Sequence, residues 1–242
     1  MSYLSGINID FYYPLTKWKL LTVDNFMKIT KTHYSSSQLR RIFKKKVDEG
    51  FLKIFKTPHG VANFYYLSNK AIKKIEDKPQ YFYIHQDELA HDSIVSILAS
   101  NLFFNKDVTS ITMEHEFKTR KIYNSSSKIP DFHAEVTRVK KKENIYFEIE
   151  LTAKSQDRVS RKLKLYTEES RVDKVVYFFT SNHLFRKYLK FLEEEVSEKS
   201  RDKFIFIKIS DPIINKDFLD NIQFGGNQTI ETIKEIEDLF HL

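Results

Sequence analysis

Beyond residue 130 stretches that read as strands give way to stretches that read as helices, and this order restricts the fold more than any other feature of the chain. Alternation at period two, the repeat of a strand, marks residues 131–139 and 144–152, and further strands are expected at 110–117, 174–180 and 203–209. Helical spacing marks 156–170 and 182–199, which fall between the later strands. Three consecutive strands, then helix, strand, helix, strand, define an α/β (α+β) unit built on a mixed sheet. A helix over 87–104 precedes it, with Leu89, Ile94, Ile97, Leu98 and Leu102 as its buried face, and residues 229–242 read as a closing helix.

The first third is organised differently. A helix is expected over 20–30, carrying Leu21, Phe26 and Ile29. Ser35, Ser36 and Ser37 supply N-cap oxygens for a second, whose stripe is Leu39, Ile42, Phe43 and Val47 and whose C-cap is Gly50. A strand at 51–55, a turn at Pro58, His59 and Gly60, and a returning strand at 61–67 make a hairpin. Ser68 caps a helix over 69–76. Helix, helix, hairpin, helix is the order of a winged helix-turn-helix. The polar stretch 77–80, which contains Pro79, reads as a linker. Two units follow: a winged helix over 1–78 and a mixed-sheet domain over 80–242.

Charge supports that division. Residues 1–78 hold 15 Lys and Arg against 6 Asp and Glu, a balance of +9, while the rest of the chain is near neutral at −2. A basic module joined to a near-neutral one is suited to meeting a polyanion. On the second helix Ser36, Arg40, Arg41, Lys44 and Lys45 lie off the apolar stripe, where guanidiniums suit guanine edges and lysines suit phosphates. Lys46 adds to the basic excess, and the acids Asp48 and Glu49 fall at the helix C-terminus. Lys53, Lys56 and His59 place further donors on the hairpin. Double-stranded DNA is the expected partner.

The chain has no cysteine, which excludes disulfides, thiolate metal sites and cysteine nucleophiles. No apolar run has membrane-spanning length, and nothing at the N-terminus reads as a signal peptide, so a cytoplasmic setting without a membrane partner is expected.

The chemistry is carried by carboxylates. In the strand at 144–152, Ile145, Phe147, Ile149 and Leu151 alternate with Tyr146, Glu148, Glu150 and Thr152, so both acids share one face. In the preceding strand Phe132, Ala134 and Val136 oppose Asp131, His133 and Glu135. A basic turn at Lys140, Lys141 and Lys142 joins the two, which should pair antiparallel and gather Asp131, Glu148 and Glu150 on one surface. The strand at 110–117 offers Glu114 and Glu116 beside them. Such a face is either simply wet, as on an exposed antiparallel sheet, or relieved of its repulsion by a cation. Oxygen donors alone favour a hard ion, Mg2+ or Mn2+, which activates water and stabilises charge on a phosphate.

Pro130-Asp131, then Glu148-x-Glu150, then Lys154 and the helix from Arg161 to Tyr166 resemble the PD-(D/E)xK, restriction-endonuclease-like superfamily. With the winged helix in front, and with the run Glu148-Ile149-Glu150-Leu151-Thr152-Ala153-Lys154-Ser155, the chain is similar to plasmid mobilisation relaxases of the MobC type and to replication–relaxation proteins. The resemblance implies a site-specific nickase. It would read an origin of transfer and cut one strand, with accessory mobilisation and coupling proteins as partners. It also implies that Asp131 and Glu148 are metal ligands. Glu150 stands where the superfamily has lysine, so Lys154 or Lys162 is left to meet the scissile phosphate, or Glu150 is a further ligand or general base. Glu114 or Glu116 would complete the site.

No His-x-His pair occurs, which argues against a histidine-metal relaxase. Attack by a metal-activated water is expected, with Tyr12, Tyr13 and Tyr166 as alternative nucleophiles. His91 and Asp92 read either as a capping or surface pair or as a pair that supports the site from behind its ligands, and His133 as either a substrate or metal contact or an ordinary strand histidine. A regulator with a degenerate nuclease domain and a double-strand restriction enzyme are the competing functions.

Overall fold

The computed structural model describes residues 11–57, 62–75, 78, 82–119, 129–138, 141–209 and 222–225. His59, most of the expected linker and the expected closing helix at 229–242 lie outside the described residues.

The N-terminal unit runs α1 (Tyr13–Trp18), β1 (Leu20–Leu21), α2 (Val23–Thr30), α3 (Ser36–Asp48), β2 (Leu52–Lys56), β3 (Asn63–Leu67) and α4 (Asn69–Ile72). The three strands form an antiparallel sheet in the order β1-β3-β2. The expected helix over 20–30 is corrected at its start. Leu20 and Leu21 pair with Tyr66 and Tyr65, and Thr22 caps the helix by accepting the Asn25 amide. Ser35 caps α3 with a full capping box closed by Gln38, and Gly50 turns the chain out of the helix at φ 73°. The expected helix over 69–76 stops at Ile72.

A 3-10 turn at Gln86–Glu88 leads into α5 (Leu89–Leu102). Its expected apolar face is buried, and so are Asp92, Ser93, Ser96, Ala99 and Ser100, because the helix is packed from two sides. On one side Leu89 and Ile97 join Leu20, Phe64 and Tyr66 of the small sheet. On the other, Ile94, Val95, Leu98 and Ala99 join Ile111, Ala134, Ile145, Phe147 and Ile149 of the large sheet. Ser96 Oγ donates to the Leu20 carbonyl, and Asn25 Nδ2 donates to Ser100 Oγ at 2.8 Å. The hydrophobic core thus runs without a break from Tyr12 to Ile207.

The large sheet has six strands in sequence order: β4 (Val108–Met113), β5 (Phe132–Arg138), β6 (Lys141–Glu150), β7 (Lys174–Phe179), β8 (Phe204–Ile209) and β9 (Ile222–Gly225). β4, β5 and β6 pair antiparallel, β6, β7 and β8 parallel, and β9 returns antiparallel. The parallel steps pass through α7 (Gln156–Glu168), and through α8 (Asn182–Glu195) followed by α9 (Glu198–Arg201). α6 (Glu114–Thr119) replaces the second half of the strand expected at 110–117. Glu116 stops the strand, because its Oε2 accepts the Met113 amide at 2.8 Å and caps the helix.

α7 and α8 cover the face opposite α5. Val159, Leu163 and Tyr166 of α7 and Leu184, Tyr188 and Leu192 of α8 pack on Tyr146, Tyr177 and Phe179 of the sheet. The wet carboxylate face allowed by the sequence is therefore corrected. Glu148 and Glu150 are 2% and 1% exposed, beneath helices rather than against water.

Candidate active site

Asp131 is fixed at the entrance to β5 by three backbone links. Its amide donates to the Phe147 carbonyl at 3.1 Å, its carbonyl accepts the Glu114 amide at 3.0 Å, and its Oδ2 accepts the Ile149 amide at 2.7 Å. The antiparallel register pairs Phe132 with Phe147, which sets Asp131 beside Glu148. Glu148 and Glu150 lie at the carboxyl end of a parallel strand, the edge at which α/β sheets place their ligands.

A lysine closes over them from α7. Val159, Lys162, Leu163 and Tyr166 recur at helical spacing on its inner face. Lys162 is buried among apolar neighbours because it meets charge: Nζ pairs with Glu148 and stands 3.4 Å from Glu150 Oε1. Lys154 reaches Glu150 Oε2 from the strand end at 2.5 Å. Tyr166 donates its hydroxyl to Glu148, and the Tyr188 hydroxyl borders Glu150. The Lys162 ammonium also lies 5.6 Å from the Tyr177 ring centre.

Environment pushes the three neighbouring ionisable groups apart. Burial lifts Glu148 to about 7; Lys162 opposes the rise and the Asp131 charge adds to it. Burial would raise Asp131 as well, but His91, Lys162 and the Ile149 amide outweigh it and hold the carboxyl down at about 2. Lys162 keeps its proton, since Glu148, Glu150 and Asp131 together overcome its desolvation. One carboxylate is thus firmly ionised beside another poised near neutrality.

The site gathers Asp131, Glu148, Glu150, Lys154 and Lys162 from four segments of chain. Glu114 and Glu116 are not sheet-face partners: Glu114 pairs with Lys118 at 2.6 Å, and Glu116 is spent on the cap of α6. His133 turns to Asn144 Oδ1 at 3.2 Å and packs on Tyr146 and Phe117. Among the expected nucleophiles, Tyr12 is buried in the core and Tyr13 is exposed, while Tyr166 reaches the site with its phenol already bound to Glu148. Burial and the Glu148 charge hold that phenol well above its ordinary pKa.

Of the two readings of His91 and Asp92, the geometry matches the pair behind the site rather than the surface pair. His91 Nε2 lies 3.3 Å from Asp131 Oδ2, and Asp92 is buried against Lys19. Forty residues of sequence separate His91 from Asp131, and only their tertiary approach shows the pair.

Among the described residues no group of three or more His, Asp and Glu forms a ready cage for a metal ion. The donors instead match the habit of Mg2+, which keeps several waters and takes one or two carboxylates together with substrate phosphate oxygens. Asp131 and Glu148 are the adjacent carboxylates that would hold such an ion.

On α3, Arg40, Arg41, Lys44 and Lys45 are exposed, as are Lys53 and Lys56 on β2. Ser36 is half-buried, its hydroxyl 3.5 Å from Asp24 Oδ1. Lys46, counted in the basic excess, is buried instead and pairs with Glu49 beneath the Phe51 ring.

No protein-family profile matches the sequence, and no curated protein does. Among solved structures, the restriction endonuclease FokI bound to DNA is 12% identical, with 99% of this chain and 49% of that one covered, at a TM-score of 0.32. FokI restriction endonuclease in a second structure is 13% identical over 78% of this chain and 41% of that one, at 0.26. The chain spans about half the length of these structures, and likenesses at such scores carry no assignment. No described helix is long and apolar enough to cross a membrane.

Proposed function

We propose that the protein is a divalent-metal-dependent DNA endonuclease of the restriction-endonuclease-like class, with a winged-helix reader over 1–78 and its cleavage unit over 80–242. The observation that carries this reading is Lys162, buried on the inner face of α7 and aimed at Glu148, with the ionised Asp131 alongside.

In this reading Asp131 and Glu148 would hold Mg2+ or Mn2+, which would supply an activated water and charge stabilisation at phosphorus. Lys162 takes the role of the displaced lysine, moving its charge to a non-bridging phosphate oxygen. Glu150 holds two lysines in the site, Lys154 and Lys162, and so compensates for its own replacement of a lysine. Tyr166 orients Glu148. Arg40, Arg41, Lys44, Lys45, Lys53 and Lys56 bind the duplex, with Ser36 at the mouth of α3.

Nicking, in preference to double-strand cleavage, rests on the sequence resemblance alone. The finer reading, a mobilisation relaxase acting at an origin of transfer with accessory and coupling proteins, rests on the resemblance of the Glu148–Ser155 run. One alternative, a DNA-binding regulator with a degenerate nuclease domain, rests on Glu150 standing where the resembled superfamily has lysine.

Supercoiled plasmid carrying the cognate origin, incubated with Mg2+, Mn2+ or EDTA, separates these. Metal-dependent open circles, lost by about a thousandfold or more in Asp131→Ala and Glu148→Ala, are the expected result. Binding without any cut product in every condition means the regulator, and linear product means double-strand cleavage.

A further inference from the structure

A narrow cleft beside Asp131 is walled in part by the N-terminal unit, through Trp18 and Lys19. Lys19 follows α1 at φ 61°, a backbone state side-chain-bearing residues seldom adopt. Its Nζ lies 3.0 Å from Asp92 Oδ2, with both side chains at most 10% exposed. Asp92 Oδ1 lies 3.6 Å from His91 Nδ1, and His91 Nε2 lies 3.3 Å from Asp131 Oδ2. Lys19, Asp92, His91 and Asp131 therefore form one unbroken chain of polar contacts from the end of α1 to the candidate site. The same turn is docked a second time, where His115 Nε2 meets the Thr16 carbonyl at 2.9 Å.

We infer that His91 is a positioning residue for Asp131, and that Lys19 fixes His91 through Asp92, so that the N-terminal unit is a working part of the cleavage site. The inference rests on the endonuclease reading of Asp131. Both the Ile149 amide and His91 engage Oδ2, which sets the plane of the carboxylate and offers Oδ1 to a cation. Without His91 the Asp131 carboxylate keeps, among the described residues, only the Ile149 amide as a donor and is less restrained. Without Lys19, Asp92 keeps only His91 as a charged neighbour among the described residues, which strengthens its competition with Asp131 for the imidazole.

The test uses the full chain and three readouts: Mn2+ affinity by calorimetry without DNA, DNA affinity in EDTA by fluorescence anisotropy, and kcat and KM for plasmid nicking. The Mn2+ site is defined as the binding lost in Asp131→Asn. His91→Ala is expected to weaken it about tenfold or more, as outer partners of metal ligands do. His91→Gln, whose amide can still donate to Asp131, should recover most of that loss. Lys19→Met should weaken Mn2+ binding in the same direction, by about threefold or more. In each, kcat falls while KM and DNA affinity in EDTA stay within about twofold. Thermal unfolding checks that the variants are folded, and His91→Gln keeps the question open to test if the alanine variant is not. Wild-type Mn2+ affinity in His91→Ala overturns the positioning role alone, and in Lys19→Met it overturns the link to the N-terminal unit. A wild-type chain with no Mn2+ site overturns the endonuclease reading and this inference together.

Discussion

The protein holds two sets of basic side chains in opposite circumstances. On α3, Arg40, Arg41 and Lys44 stand in water, with no ion pair among the described residues, and Lys45 is only loosely met by Glu49 at 4.0 Å. Beneath α7, Lys162 is buried between Glu148 and Glu150, and Lys154 closes on Glu150 from the rim. Solvated charge is cheap to hold, is screened by salt, and is available to a polyanion. Buried charge exists only because its partners offset the desolvation, so it is fixed in place and acts at short range. The first set suits binding and the second suits chemistry.

The largest expected effect comes from altering the buried set. Glu150→Lys puts a third cation beside Lys154 and Lys162. It should destabilise the fold by about 3–5 kcal/mol in chemical denaturation, the cost of an uncompensated buried charge. An unchanged midpoint would mean that Glu150 does not anchor the lysines.

Next is the acid sensitivity of the joint between the units. Burial, reinforced by the charge of Lys19, lowers His115 to about 4. A histidine depressed in the folded state contributes stability that is whole above its unfolded pKa of about 6.5 and is lost as pH falls toward 4. The loss should be on the order of 2–3 kcal/mol across that window. His115→Gln, which can still donate to the Thr16 carbonyl, should flatten the slope of stability against pH. An unaltered slope would place the titration elsewhere.

Smaller effects are expected on α3. Arg40→Ala and Arg41→Ala should each weaken DNA binding by about 1–3 kcal/mol if they read bases, or lower the salt slope by about one if they contact phosphate. Folding stability should move by no more than about 0.5 kcal/mol. Lys45→Ala should change stability least, because it meets its i,i+4 partner Glu49 only loosely and in solvent. A large loss of stability from any of these would show that the α3 cations are structural.

The same contrast explains what the sequence disclosed. Alternation along β6 was legible because a strand sends successive side chains to opposite faces, so Glu148 and Glu150 share a side whatever the tertiary fold. What covers that side was not legible from the strand. The clue lay in α7, where Lys162 interrupts the stripe Val159, Leu163, Tyr166, a polar residue at a core position that demands a buried partner. β1 escaped notice because two residues have no period, and its strand character comes from pairing with Tyr65 and Tyr66. Glu114 and Glu116 misled because an alternating acid pair also suits the first turn of a helix. His91 had no local signal, since its partnership with Asp131 exists only after α5 has packed on the sheet.

In the proposed endonuclease, Lys162, rather than a residue at position 150, supplies the positive charge at the cleaved phosphate. Nicking of supercoiled plasmid by wild-type protein and by Lys162→Met in Mg2+, alongside DNA affinity in EDTA, tests this directly. Open circles are expected from the wild type and a rate at least about a hundredfold lower from Lys162→Met, with DNA affinity unchanged. Nicking by Lys162→Met at the wild-type rate, or none by the wild type in any divalent metal, would contradict it.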